Sequence, residues 1–392
     1  MIGRRTDSGE SYGATFLELF FDLVFVFAIT QVSHLLLDHL TWAGLGQSAI
    51  ALMVVWWAWN YTTWVTNSLD VDRVPVKLLM LALMLGGLLM AVAIPEAFGD
   101  LGLLFAGSYV AIQIGRQTFL TFAGSEKGSL ARRRDSRVLI WFFFSAPFWI
   151  AGALAEDELR AGLWVFALFL DYVAPLTLYR VPRLKRIAPE DWTIGTSHFA
   201  ERFGLFVIIA LGESIILTGA TAAGMDLDAS VVMSLVIAFI GTGALWWLYF
   251  SSISDRMEQA LAESENPVLL ARDAFTYGHV LIIAGIILVA VGDEIVIAHP
   301  LDELKTAELL TVTAGPALFL AAQAALRWRM TGTVSRRRLA GIGLCVIIGL
   351  IGWLGAIAIV VGGLLVGLLV LLAIGDEVAA RVRGGSPQGG VV

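Results

Sequence analysis

The stretch T-F-L-E-L-F-F-D-L-V-F-V-F-A-I-T-Q-V-S-H-L-L-L, running from Thr15 to Leu37, decides the fold. It is apolar enough to sit in lipid. At 1.5 Å of rise per residue, a helix of this length crosses the roughly 30 Å hydrocarbon core of a bilayer. It is also interrupted by Glu18, Asp22, Gln31 and His34. At about 100° per residue, Glu18 and Asp22 share one face, whereas Gln31, His34 and Asp38 share the opposite one. Such a span has no side to give wholly to lipid, so it is expected at the centre of a bundle.

This run is one of many. Of the 392 residues, 58% are hydrophobic and only 15% charged, against about 25% charged in soluble domains. The charge gathers in short clusters between apolar runs. Helices are expected at 15–37, 44–65, 77–97, 101–122, 138–155, 160–179, 200–221, 229–250, 274–297, 307–326, 338–355 and 358–376. The fold class is an all-α integral membrane protein of about 12 transmembrane helices. No charge lies between Arg338 and Asp376, a length too great for one crossing, so a tight turn is expected near Gly355.

Loop charge orients the spans, because cytoplasmic loops collect Lys and Arg. Taking the N-terminus as inside gives the cytoplasm Arg4 and Arg5, Arg73 and Lys77, the cluster from Lys127 to Arg137, and Arg180 to Arg186. Arg256 and Arg272, Arg327 to Arg338, and Arg381 and Arg383 follow on the same side. The opposite loops hold only Arg160 and Lys305 and are otherwise acidic. Both termini are therefore expected on the cytoplasmic side of the membrane. No cleavable signal peptide is evident, since the first run holds two acids. The single cysteine, Cys345, allows no internal disulfide.

An internal repeat divides the chain. E-L-F-F-D-L-V-F-V-F-A-I-T-Q from Glu18 resembles E-R-F-G-L-F-V-I-I-A-L-G-E-S from Glu201, an offset of 183. At the same offset Trp64 meets Trp247, and Asp72-Arg73 meets Asp255-Arg256. P-V-K-L-L from Pro75 resembles P-V-L-L-A from Pro267 after a further nine residues. The expected organisation is a first six-helix half over 1–182, a second over 183–383, and a disordered tail over 384–392. Both halves begin inside, so these are parallel pseudo-repeats, with a possible pathway between them.

Ionisable groups within a bilayer cost about 2.5–3.5 kcal/mol each on insertion scales, which makes them functional candidates. Glu18 also suits a helix N-terminus, whereas Asp22, about 10 Å further in, needs a partner. Glu201 and Arg202 mark the cytoplasmic start of the seventh helix. Glu213 lies deeper, about 16 Å from Arg202, and must meet another helix, an ion, water or its own proton. Asp171 in the sixth helix reads as structural or functional. The transport-path or gating candidates are Glu18, Asp22, Gln31, His34, Asp171, Glu201, Arg202 and Glu213. Arg116 is expected to snorkel to the inner surface, and Trp64 to join an interfacial belt. Trp56, Trp57 and Trp59 are expected to pack, with a cation–π lining as the alternative. Gly363 and Gly367 have the spacing of a close helix contact.

Other chemistry is not supported. G-E-S-I-I at Gly212 lacks the second glycine of a nucleophile elbow, and no P-loop or dinucleotide fingerprint occurs. His198 and Glu201 share a helix face, but five histidines and one cysteine make a metal site unexpected. No cofactor is implied. The basic run from Lys127 to Arg137 fits topology and anionic lipid better than nucleic acid.

T-F-L-E-L-F-F-D-L-V-F-V-F-A-I-T-Q at Thr15–Gln31 and E-R-F-G-L-F-V-I-I-A-L-G-E-S at Glu201–Ser214 resemble the two signatures of the bacterial low temperature requirement A protein family. The Trp-rich second helix leading to T-N-S-L-D at Thr66–Asp70 agrees. The resemblance covers most of the chain. It implies a multi-pass membrane protein linked to growth in the cold, and it implies no substrate. F-F-D-L-V-F-V-F-A-I-T at Phe20–Thr30 is also similar to the F-S-D-x-V-F-A-I-A-I-T opening helix of a potassium-channel family built from six-helix repeats. There the first helix would be the pore helix, although Phe21 replaces the serine and Leu205 stands where the second aspartate would fall. The expected function is membrane transport, as an ion channel or ion-coupled carrier of an inorganic ion or small solute, with membrane lipids as partners. A non-transporting sensor or assembly partner and an intramembrane enzyme acting on lipid are the alternatives.

Overall fold

The structure, a computed structural model, describes residues 13–192, 194–251 and 255–384. Of the expected tail over 384–392, Gly384 ends the last helix and residues 385–392 lie outside the described residues, as do the expected cytoplasmic Arg4 and Arg5. Among the described residues the chain is helical throughout, with one isolated bridge between Glu303 and Ile357.

The helices are α1 (Phe16–Asp38), α2 (Trp42–Thr66), α3 (Val74–Ala93), α4 (Gly102–Phe122), α5 (Leu130–Leu154), α6 (Asp157–Leu176) and α7 (Thr196–Ala223). They continue with α8 (Ala229–Tyr249), α9 (Asp255–Glu263), α10 (Pro267–Leu270), a π-helical segment (Ala271–Gly278), α11 (His279–Ala298), α12 (Thr306–Thr331), α13 (Arg336–Trp353) and α14 (Ala358–Gly384). Among the described residues, nine helices are long and apolar enough to cross a membrane. The helices α2, α4 and α13 fall short of that measure. The first two carry Asn60, Thr62, Gln113, Arg116 and Gln117, and α13 has 18 residues of which the first three are arginine.

Local chemistry sets the boundaries. Thr15 and Glu18 form a capping box: the Glu18 N–H donates to Thr15 Oγ1, and Glu18 Oε2 accepts from the Thr15 N–H. Such boxes satisfy two otherwise orphaned donors. The fifth helix starts at Leu130, eight residues before the expected 138, because Ser129 Oγ accepts from the Arg132 N–H. The expected basic loop is therefore partly helix. Between α13 and α14, Gly355 sits at φ +100°, a conformation favouring glycine, and this makes the turn expected there.

The chain forms two compact units. The first comprises Met1–Phe206 and Leu261–Val280, the second Val207–Ala260 and Leu281–Val392. Within the first, α1 packs on α2 and α3, α4 lies between α3 and α5, α6 packs on α5, and α2 touches α4 and α6. Within the second, α12 packs on α13, and α14 packs on both α13 and α8. The tight helix contact there is not at Gly363 and Gly367, since a Cβ on Gly367 would meet nothing within 4 Å. It falls instead where α11 crosses α12. A Cβ on Gly285 would lie 2.8 Å from Phe319 N, and one on Gly315 would lie 2.7 Å from Val289 N.

Candidate functional site

The first turns of α1 and α7 are joined by two buried polar contacts. Asp22 Oδ2 accepts from Arg202 Nη1 at 2.5 Å, and Asp22 Oδ1 accepts from Arg202 Nη2 at 2.7 Å. One turn toward the N-terminus, His198 Nε2 meets Glu18 Oε2 at 3.1 Å. Both contacts span 180 residues. A constant difference between partners, rather than a constant sum, means that the two helix starts run in the same direction. Glu18, Asp22, His198 and Arg202 are each at most 5% exposed.

The tautomer of His198 follows from its neighbours. The Asn67 side chain donates from Nδ2 to Gly195 O at 3.0 Å, and its Oδ1 accepts from the Gly195 N–H at 2.8 Å. That fixes the amide, so its remaining Nδ2–H points at His198 Nδ1, 3.1 Å away. His198 Nδ1 must then accept, which puts the ring proton on Nε2, where it is donated to Glu18.

Aromatic rings enclose the Asp22–Arg202 pair. Trp59 Nε1–H donates to Asp22 Oδ1 at 2.8 Å, and the Arg202 guanidinium carbon lies 5.8 Å from the Trp59 ring centroid. Phe206 and Phe203 lie 4.2 and 5.0 Å from the same ring. Trp56 and Trp57 are fully buried, and Trp56 Nε1–H donates to Thr276 O at 2.8 Å. Trp64 is half-buried; its Nε1–H donates to Thr276 Oγ1 at 2.9 Å, which in turn donates to Asn60 Oδ1 at 3.1 Å. Thr276 belongs to the π-helical Ala271–Gly278 segment. Wider π turns disturb the usual backbone ladder and recur at functional sites.

The other candidates are dispersed. Gln31 is half-buried and His34 exposed, both away from the paired groups. Glu201 is exposed and accepts from the Ala14 N–H at 3.1 Å. Glu213 is fully buried, in the part of α7 that belongs to the second unit. Asp171 is buried and joins three helices, accepting from Tyr109 Oη at 2.8 Å on α4 and from Trp149 Nε1 at 3.0 Å on α5. Arg116 does not snorkel. It is fully buried, donating to Ala58 O at 3.3 Å, to Thr62 Oγ1 at 3.1 Å and to Gln113 Oε1, with the Tyr61 ring centroid 5.3 Å away. Packed rings and local acceptors hold it in place of water. Beside this cluster the first unit holds a partly open pocket of about 80 Å³, lined in part by Asn60, Tyr61, Gln117, Arg134, Tyr179 and Arg272. Among the described residues, no group of three His, Cys, Asp or Glu is placed to hold a metal ion.

The sequence reading missed His198 as a partner of Glu18, Arg202 as that of Asp22, and the hydrogen bonds of Asn67, Trp59 and Thr276. One signal was available. Two acids four residues apart, Glu18 and Asp22, match two basic residues four apart, His198 and Arg202.

Comparison with known proteins places the chain. It is 38% identical over 318 residues to an uncharacterized protein of Rhizobium meliloti (strain 1021), covering 81% of this chain and 78% of that one. No solved structure matches it significantly. The description of the bacterial low temperature requirement A protein (LtrA) matches residues 13–374, from just before the α1 capping box to the final turns of α14. The chain belongs to the bacterial low temperature requirement A (LtrA) protein family.

Proposed function

We propose that this protein is a transport protein of the bacterial cytoplasmic membrane, moving an inorganic ion or small solute as a channel or ion-coupled carrier. The observation that carries this reading is the layer of Glu18, Asp22, His198 and Arg202 buried within helices of membrane-crossing length. Packed apolar side chains hold helices together as well as, or better than, a buried ion pair. Charged groups kept inside the bilayer are therefore expected to serve a pathway. The partly open 80 Å³ pocket supports a small cargo, since about 10–15 Å³ of such space holds one water.

In this reading α1 and α7 brace or line the pathway, and Glu213 and Asp171 are further gating candidates. The chain crosses the membrane about 12 times with both ends inside, as two parallel six-helix repeats over 1–182 and 183–383. The shared direction of the starts of α1 and α7 supports an even number of crossings between them. A role in growth at low temperature accords with the family name. Flux of a panel of ions and small solutes into proteoliposomes, against protein-free vesicles, tests the proposal. Absence of flux for every solute, with folded protein in the vesicles, would overturn it.

A further inference from the structure

In the second unit, the end of α12, the start of α13 and the last turns of α14 surround a cleft of about 400 Å³, together with Ser251 and Arg256. Five arginines reach its wall: Arg256, Arg327, Arg336, Arg337 and Arg338. The two acids of the wall are already engaged. Asp376 accepts from Arg338 Nη2 at 2.7 Å and from Arg337 Nη1 at 3.4 Å, and Glu377 accepts from Arg381 Nε at 3.2 Å. Among the described residues, no ion pair takes up Arg256, Arg327 or Arg336. The wall is strongly cationic.

Membrane topology alone does not account for this arrangement. It favours arginines at the cytoplasmic end of a span, with their heads in water. Arg338 is instead 5% exposed. Arg327 is half-buried, and its Nε–H meets no acceptor among the described residues. Below them Gln323 is 1% exposed, and neither end of its amide has a partner among the described residues. A buried amide in that condition is rare and calls for a ligand or water to complete it. Along α8 and α14, an apolar groove of about 480 Å³ is lined by Ile240, Ala244, Trp247, Val370 and Ile374, and it shares Glu377 with the arginine cleft.

We propose that the second unit carries a site for an anionic glycerophospholipid. The phosphate sits in the cleft, where Arg327 offers the planar donor fork that matches phosphate oxygens, Arg338 adds its charge beside Asp376, and the Gln323 amide donates a further hydrogen bond. An acyl chain lies along the adjoining groove. The site is separate from the transport reading and stands without it.

The test uses the full chain in detergent micelles, with thermal unfolding and native mass spectrometry as readouts. Three probes are added separately: phosphatidylglycerol, phosphatidylcholine and inorganic phosphate. Phosphatidylglycerol is expected to raise Tm and remain bound, and phosphatidylcholine to do neither. Arg327→Gln is expected to weaken phosphatidylglycerol binding by about tenfold, equivalent to about 1.4 kcal/mol. Arg133→Gln, which removes an exposed arginine of the first unit, is expected to leave binding unchanged. If Arg327→Gln does not fold, Arg336→Gln at an exposed position makes the same comparison. Equal response to the two lipids, or equal loss in Arg133→Gln, would overturn the site. Stabilisation by inorganic phosphate without lipid retention would overturn the lipid assignment.

Discussion

Asp22 and Arg202, 180 residues apart in sequence, meet through both carboxylate oxygens and both terminal guanidinium nitrogens, at 2.5 and 2.7 Å. Each is 1% exposed. Removing one member strands the other in a medium that cannot solvate it, at a cost of about 3–5 kcal/mol, whereas removing both leaves no stranded charge. Asp22→Leu and Arg202→Leu are each expected to destabilise by about that amount, and the double variant by much less than their sum. Unfolding in mixed micelles of ionic and non-ionic detergent measures this. Additive losses would show that the two groups are not partners.

The Asn67 amide orients the His198 ring, so a second prediction concerns a proton. In nitrogen-15 spectra of histidine-labelled protein, assigned by loss of the signal in His198→Gln, Nδ1 should appear as the bare nitrogen and Nε2 as the protonated one. Asn67→Ala should destabilise by about 1–3 kcal/mol, because it strands the Gly195 peptide groups as well as His198 Nδ1. A proton found on Nδ1 would contradict the geometry.

Close approach of α11 and α12 predicts a contrast between glycines. A Cβ on Gly315 would press on the backbone at Val289 N, 2.7 Å away, and backbone cannot rotate aside. Gly315→Ala is expected to cost about 1–3 kcal/mol. Gly367→Ala, where nothing lies within 4 Å, should stay within about 0.5 kcal/mol of the parent. Equal losses at both positions would overturn this view of the contact.

Cysteine labelling in intact cells tests the proposed crossings, in a Cys345→Ala background. Asp226→Cys and Asp302→Cys should react with a membrane-impermeant maleimide from outside. Arg133→Cys and Thr333→Cys should react only after permeabilisation. Any exchange between the two sets would overturn the count of crossings or the orientation.

Much of this architecture can be read from local patterns. The place of Glu18 at a helix N-terminus, the need of Asp22 for a partner and the turn at Gly355 all follow from spacing and burial cost. The identity of that partner does not, because the repeat aligns Glu18 with Glu201 at offset 183, whereas the folded pairs have offset 180. The repeat thus pairs a fully buried acid with an exposed one. The burial of Arg116 is not legible in the sequence, because depth along a helix does not reveal whether rings and carbonyls close over a side chain. The π-helical segment left no trace in hydropathy, since one extra residue per turn barely alters an apolar pattern.

Buried acids that serve a transport pathway are needed for flux. Flux of the transported ion or solute in proteoliposomes holding equal amounts of folded wild-type, Asp22→Asn and Glu213→Gln protein tests this most directly. Measurable wild-type flux is expected, lowered at least tenfold in one or both variants. Undiminished flux in both variants would contradict the assignment of these acids, and no wild-type flux for any solute would contradict transport itself.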